Sequence, residues 1–150
     1  MILNQSNMRF SLWHGGLKTR SSLKMSEYEY ANPNPKGKNV GDCTVRAISL
    51  ATEQDWEKVY LDLCIQGYMM SDMPSSNDVW GKYLTERGWQ YHRLQDTCPF
   101  CYTIKNFCDE HTEGTFIVAT GSHVVCVDDG KYLDTYDSGE KTALFYFARE

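Results

Sequence analysis

The sequence predicts an α+β domain with helices first and an antiparallel sheet last. Three observations carry this. Apolar residues recur at helical spacing from Val45 to Leu84; the pattern changes after Trp89 to short runs rich in β-branched and aromatic residues; and Asp129-Gly130 stands between two such runs as a favoured two-residue hairpin turn.

In chain order, "ANPNPKGKN" (31–39) is rich in Pro, Gly and Asn and reads as an irregular approach segment. "CTVRAISLAT" then places Val45, Ile48 and Ala51 or Thr52 on one helical face. Thr52 with Asp55 three residues on reads as an approximate capping box for the next helix, whose Trp56, Val59, Tyr60, Leu63 and Cys64 share a face. "MPSSNDVWGKYLTERG" repeats the formula, with serine caps, Val79, Trp80, Tyr83 and Leu84 inward, and Gly88 as the stop. "WQYHRL" (89–94) alternates as a strand does, and "TIKNFCDEH" (103–111) reads as a short helix. "TFIVAT" (115–120), the hairpin within "SHVVCVDDGKYLDTYD" (122–137) and "ALFYFA" (143–148) supply the remaining strands. "GYMMSDMP" (67–74) is expected to be a helix end packed on the core.

The composition narrows the function classes. The 150 residues suit one domain with a core of its own. Net charge is −5, and no basic footprint suggests nucleic-acid binding. No apolar run approaches the roughly 18 residues that cross a bilayer, so no membrane partner is expected. Residues 1–25 hold Arg9, Lys18, Arg20 and Lys24 and no acid, leaving 11 basic and 20 acidic side chains, a balance of −9, to the rest. That first stretch is expected to be a flexible leader, with the domain occupying residues 26–150. It lacks the h-region and cleavage site of a secretory signal, so the six cysteines are read as reduced and the location as cytoplasmic.

Chemistry concentrates at Cys43. It follows Gly41-Asp42 and opens a helix, where the partial positive charge of the helix N-terminus favours thiolate and free N–H groups await an oxyanion. Of the four histidines, His123 opens the strand "HVVCV", a position from which an imidazole can face a helix start. The returning strand offers two carboxylates to orient it. With Asp129-Gly130 as the turn, Tyr136 falls opposite His123 and Asp137 opposite Ser122, while Asp134 shares the His123 face one step lower. Alternation slightly favours Asp134, and a bulge or twist at the strand end would favour Asp137.

The order of Cys at a helix start, His opening a strand and Asp ending the next resembles the papain-like cysteine peptidase superfamily. "GSHVVCVDDGKYLDTYDSG" is similar to the His/Asp hairpin of its compact bacterial members. "NPKGKNVGDCTVRAI", "DGKYLDTYDSG" and the closing aromatic strand resemble short phage and bacterial proteins of this type. The resemblance covers residues 36–148 and implies a papain-like fold with Cys43 as nucleophile, His123 as base and Asp137 as the orienting acid, since Ser138 follows it. It implies hydrolysis of a peptide or amide bond through a thioester, with no cofactor and with a protein or peptide as partner. Transglutaminase-like acyltransferases and deubiquitinase-like hydrolases share the triad order. The chain departs from familiar papain-type enzymes six residues before the cysteine, where Gly37 replaces their Gln. Asn39 is the nearest side-chain amide and stands in as oxyanion donor, with Lys38 an alternative.

Two other readings are set beside this one. A catalytically silent module would use the same fold to bind a partner, as a phage-encoded inhibitor of a host protein does, and its acidity would suit a basic partner. Cys98, Cys101, Cys108 and His111 have the residue types of a Cys3His zinc site, although the inter-pair spacing matches no familiar finger or ribbon.

Overall fold

Apolar periodicity builds the helical half element by element, and the computed structural model describes residues 26–149. The expected leader, residues 1–25, lies outside them. The order is β1 (Glu27–Tyr30), α1 (Cys43–Thr52), α2 (Trp56–Met70), α3 (Asn77–Thr85), β2 (Trp89–Arg93), α4 (Ile104–Glu110), β3 (Thr115–Ala119), β4 (Val124–Asp128), β5 (Lys131–Asp134) and β6 (Phe145–Arg149). The class is α+β. No described helix is long and apolar enough to cross a membrane.

The strands form one six-stranded sheet in the order β1-β5-β4-β3-β6-β2. This corrects the expectation of an antiparallel sheet, because β1 pairs in parallel with β5, Tyr30 opposite Asp134. No element was expected over Glu27–Tyr30. "EYEY" alternates charge with aromatic rings and is largely exposed, so it carries no apolar run to betray an edge strand. The hairpin register is the expected one, with Cys126 opposite Leu133 and Asp128 opposite Lys131. Asp129 (φ 46°) and Gly130 (φ 78°) both take the left-handed conformation that a tight primed turn requires.

Helices cover both faces of this sheet. On one face Ile48 of α1, Val59 and Leu63 of α2 and Trp80 and Tyr83 of α3 pack against Ile117, Cys126 and Phe147. On the other, Ile104, Phe107 and Cys108 of α4 meet Val118, Val125, Val127 and Tyr132. Burial on both sides explains why β3 and β4 read as continuous apolar runs rather than alternating ones. Each of these large side chains contributes about 1.5–3 kcal/mol by leaving water.

Local details depart from expectation. No capping box forms at Thr52, which remains the last residue of α1 and donates its hydroxyl to the Ile48 carbonyl. Glu53 closes α1 in the left-handed region, and Asp55 precedes α2 without a side-chain cap. The "GYMMSDMP" stretch does end α2, but only Gly67 of it is buried, and Tyr68, Met69 and Met73 are exposed. Trp80 and Trp89 fill the core, whereas Tyr91 and Phe100 are exposed.

After α2 the chain doubles back tightly over Gly67. A Cβ there would lie 2.7 Å from the Asp72 carbonyl oxygen and 3.1 Å from the Pro74 nitrogen. An ordinary helical Gly gains up to about 1 kcal/mol on replacement by Ala, but overlap with fixed backbone costs about 1–3 kcal/mol. Gly67→Ala is therefore expected to lower the unfolding midpoint in a urea titration. Gly81→Ala in α3, where the added Cβ meets only Phe147 Cζ at 3.4 Å, is expected to leave it level or raise it.

Candidate active site

Asp42 ends the approach segment and accepts the first backbone bond of α1, from Arg46. Its carboxylate does not cap the helix. One oxygen receives Arg46 Nη1 at 2.5 Å, and the other receives the indole N–H of Trp56 at 2.8 Å. The N–H groups of Cys43, Thr44 and Val45 consequently stay without a side-chain acceptor at the helix end. Cys43 is the first residue of that helix and is partly exposed.

Opposite it, His123 lies just before β4 and is buried. Its Nε2 meets Asp134 Oδ2 at 2.5 Å, which leaves Nδ1 as the ring nitrogen for the Cys43 sulfur. Tyr136, beyond the end of β5, places its ring 5.1 Å from the imidazole. The diagonal neighbour Asp134 reaches the ring nitrogen itself.

Asp134, not Asp137, thus orients His123. This corrects the assignment drawn from the resemblance and agrees with strict alternation along the strand. Asp137 is exposed, accepts the Tyr132 hydroxyl at 2.6 Å and the Gly139 N–H at 3.1 Å, and shapes the turn. Ser138 is nonetheless part of the site, since its hydroxyl donates to Asp134 Oδ2 at 2.6 Å. The other Asp134 oxygen accepts Arg46 Nη2 at 3.0 Å and the Thr135 N–H at 2.7 Å.

These contacts set the charges. Burial alone would push the Cys43 thiol up, but bonds from His123 and the Val124 N–H, with the His123 charge, hold it below the ordinary thiol range. Burial opposes protonation of His123 as well, and Asp134 together with Cys43 overrides it, raising the imidazole to about 9. Burial disfavours ionised Asp134, and its bonds to His123 and Ser138 keep it below the usual carboxylate range. The Cys43 and His123 shifts both act in the direction of a thiolate facing an imidazolium. Other thiols go the opposite way: burial pushes Cys108 up to about 12 and Cys126 higher still, and Asp96 raises Cys98.

The thiol opens onto a cleft of about 650 Å³. Its floor is the start of α1, and Trp56 and Tyr60, stacked 5.0 Å apart, form an aromatic wall. Lys38 lines the cleft, whereas Asn39 is exposed and takes no part in its lining, so Asn39 is not placed as an oxyanion donor. The donors in the cleft include the helix-end N–H groups and Lys38.

The remaining candidates are dispersed. Cys98 and Cys101 are exposed, Cys108 is buried on the inner face of α4, and His111 stacks on Phe107 with Nδ1 2.9 Å from the Phe107 carbonyl. Among the described residues no group of three or more metal-binding side chains gathers. His92 stacks on Tyr146, and His14 falls outside the described residues. Sequence reasoning missed Arg46, Asp42 and Trp56. The available signal was the spacing of Asp42 and Arg46, four residues apart across a helix start. No family model, curated protein or solved structure matches the chain.

Asp134→Asn is expected to drop the His123 pKa well below 9 in an NMR titration, since the neutral amide no longer favours the imidazolium. Asp134→Ala is expected to cost about 3–5 kcal/mol by urea denaturation, the penalty for leaving Arg46 without one of its buried partners. Asp137→Asn is expected to leave the histidine titration in place.

Proposed function

We propose that the protein is a cysteine-dependent hydrolase of peptide or amide bonds, with Cys43 as nucleophile, His123 as acid and base and Asp134 as the orienting carboxylate, on a papain-like variant of the α+β fold. One observation carries the reading. A cysteine at a helix start faces a histidine whose far nitrogen is held at 2.5 Å by a fully buried aspartate. Buried carboxylates in ordinary cores are rare, and one aimed through a histidine at a depressed thiol has a chemical rationale.

The steps follow from the charges. The Cys43 thiolate attacks the acyl carbon, and the oxyanion is received by the open N–H groups of the α1 start. The His123 imidazolium gives its Nδ1 proton to the departing amine, leaving a thioester on Cys43. Neutral His123 then takes a proton from water, the hydroxide attacks the thioester, and collapse releases the acid and restores the thiolate–imidazolium pair. An amine in place of water makes the same site an acyltransferase. The free thiols suit a reducing compartment such as the cytoplasm.

The test is alkylation of the native protein by iodoacetamide at pH 6, mapped by mass spectrometry. Cys43 is expected to label at least about tenfold faster than the other thiols, because His123 and the Val124 N–H hold its thiol below the ordinary range. His123→Ala is expected to abolish the advantage. Equal labelling of all accessible thiols would overturn the hydrolase reading in favour of the silent binding module. Hydrolysis should follow a bell-shaped pH profile whose alkaline limb lies at about 9, where His123 loses the proton the leaving group needs. Alkylation needs only thiolate, so it should show the acid limb and no alkaline fall.

A further inference from the structure

Seven lysines fall among the described residues. Lys58, Lys82, Lys105 and Lys131 pair with carboxylates, and Lys141 lies over the Tyr136 ring. Lys36 and Lys38 have neither kind of partner among the described residues, and both line the cleft that opens on Cys43. In an acidic protein, where carboxylates outnumber cations, two uncommitted ammonium groups at one site are an unusual allocation of charge.

The loop that carries them is built. Asn34 Oδ1 accepts the N–H groups of Lys36 (3.0 Å) and Lys38 (3.3 Å), and Asn32 Nδ2 donates to the Lys38 carbonyl at 3.2 Å. Gly37, at φ 62°, makes the turn between them and bonds back to the Asn34 carbonyl. The root of the loop is fixed to the site, because the Ala31 N–H donates to the Asp134 carbonyl at 2.9 Å. The cleft therefore pairs an apolar wall of Trp56, Tyr60 and Val40 with two cations carried on a hydrogen-bonded loop. Glu57 is the one carboxylate lining it that makes no ion pair among the described residues; Asp42 is spent on Arg46 and Trp56.

We propose that this cleft takes an acidic peptide, one whose large apolar side chain lies on the Trp56–Tyr60 wall and whose carboxylate is held by Lys36 and Lys38. The inference deepens the hydrolase reading by naming the class of its substrate. Its recognition chemistry does not require Cys43 to react.

The experiment measures binding by the full chain bearing Cys43→Ala, by fluorescence anisotropy of labelled hexapeptides in low salt. Each peptide holds one Phe in a neutral background, with a single Glu walked across the remaining positions and a Gln counterpart for each. At the best position Glu is expected to be preferred over Gln by about fivefold, the yield of two exposed charge contacts, and the preference should fade in high salt. Lys36→Gln/Lys38→Gln should erase it, and Lys36→Glu/Lys38→Glu should reverse it, each with an unchanged thermal midpoint. Equal binding of every Glu and Gln pair, or a preference that survives both double variants, would overturn the proposal. Lysine-dependent binding by a chain whose wild type fails the alkylation test would sink the hydrolase reading alone.

Discussion

Removing a carboxylate from water costs several kcal/mol unless its oxygens gain charged or hydrogen-bonded partners, and Asp134, with no exposed surface, has four. They come from separate parts of the chain: Arg46 from α1, His123 from the start of β4, and Thr135 and Ser138 from the turn after β5. Satisfying this one group fixes the helix that carries the thiol, the strand that carries the imidazole and the turn between β5 and β6 in a single arrangement. Arg46 extends the constraint, because its other terminal nitrogen grips Asp42, and Asp42 in turn grips Trp56. A continuous polar chain thus runs from Asp134 to the wall of the cleft, and its Asp134–Arg46–Asp42 stretch is buried, where each bond is strengthened.

The core supplies what that chain cannot. α1 lies against β4 with Val45, Ala47 and Ile48 buried, so the end carrying Cys43 has no freedom to slide relative to His123. Asp42 at the helix cap is committed elsewhere, and the helix-end donors receive no side-chain cap. A cap residue normally stabilises its helix by about 1 kcal/mol. Here the packing of α1 stands in for it.

Helices and hairpin were legible because periodicity and turn chemistry are local. α3 and the Asp129-Gly130 turn needed nothing beyond their own residues. β1 was not legible, since its pairing with β5 joins segments about a hundred residues apart and its short "EYEY" run is largely exposed. The choice between Asp134 and Asp137 shows how two kinds of inference divide. Alternation from the turn pointed to Asp134, and the serine that follows Asp137 pointed there by resemblance. The serine does belong to the site, but it bonds back over the turn to Asp134. Arg46 was hidden because an arginine in an amphipathic helix ordinarily faces solvent, and only the tertiary position of Asp134 draws it inside.

The strand order has a consequence for the chain as it is made. Cys43 leaves the ribosome well ahead of His123 and Asp134, and β6, the last described strand, inserts between β3 and β2. Until the β4–β5 hairpin forms and docks on α1, the thiol has no imidazole beside it and keeps the sluggish chemistry of any free cysteine. Pairings of such sequence separation form late in folding. On the proposed hydrolase reading, nucleophilicity is thereby a property of the finished fold, and a nascent or unfolded chain carries no armed cysteine among the crowded proteins around it.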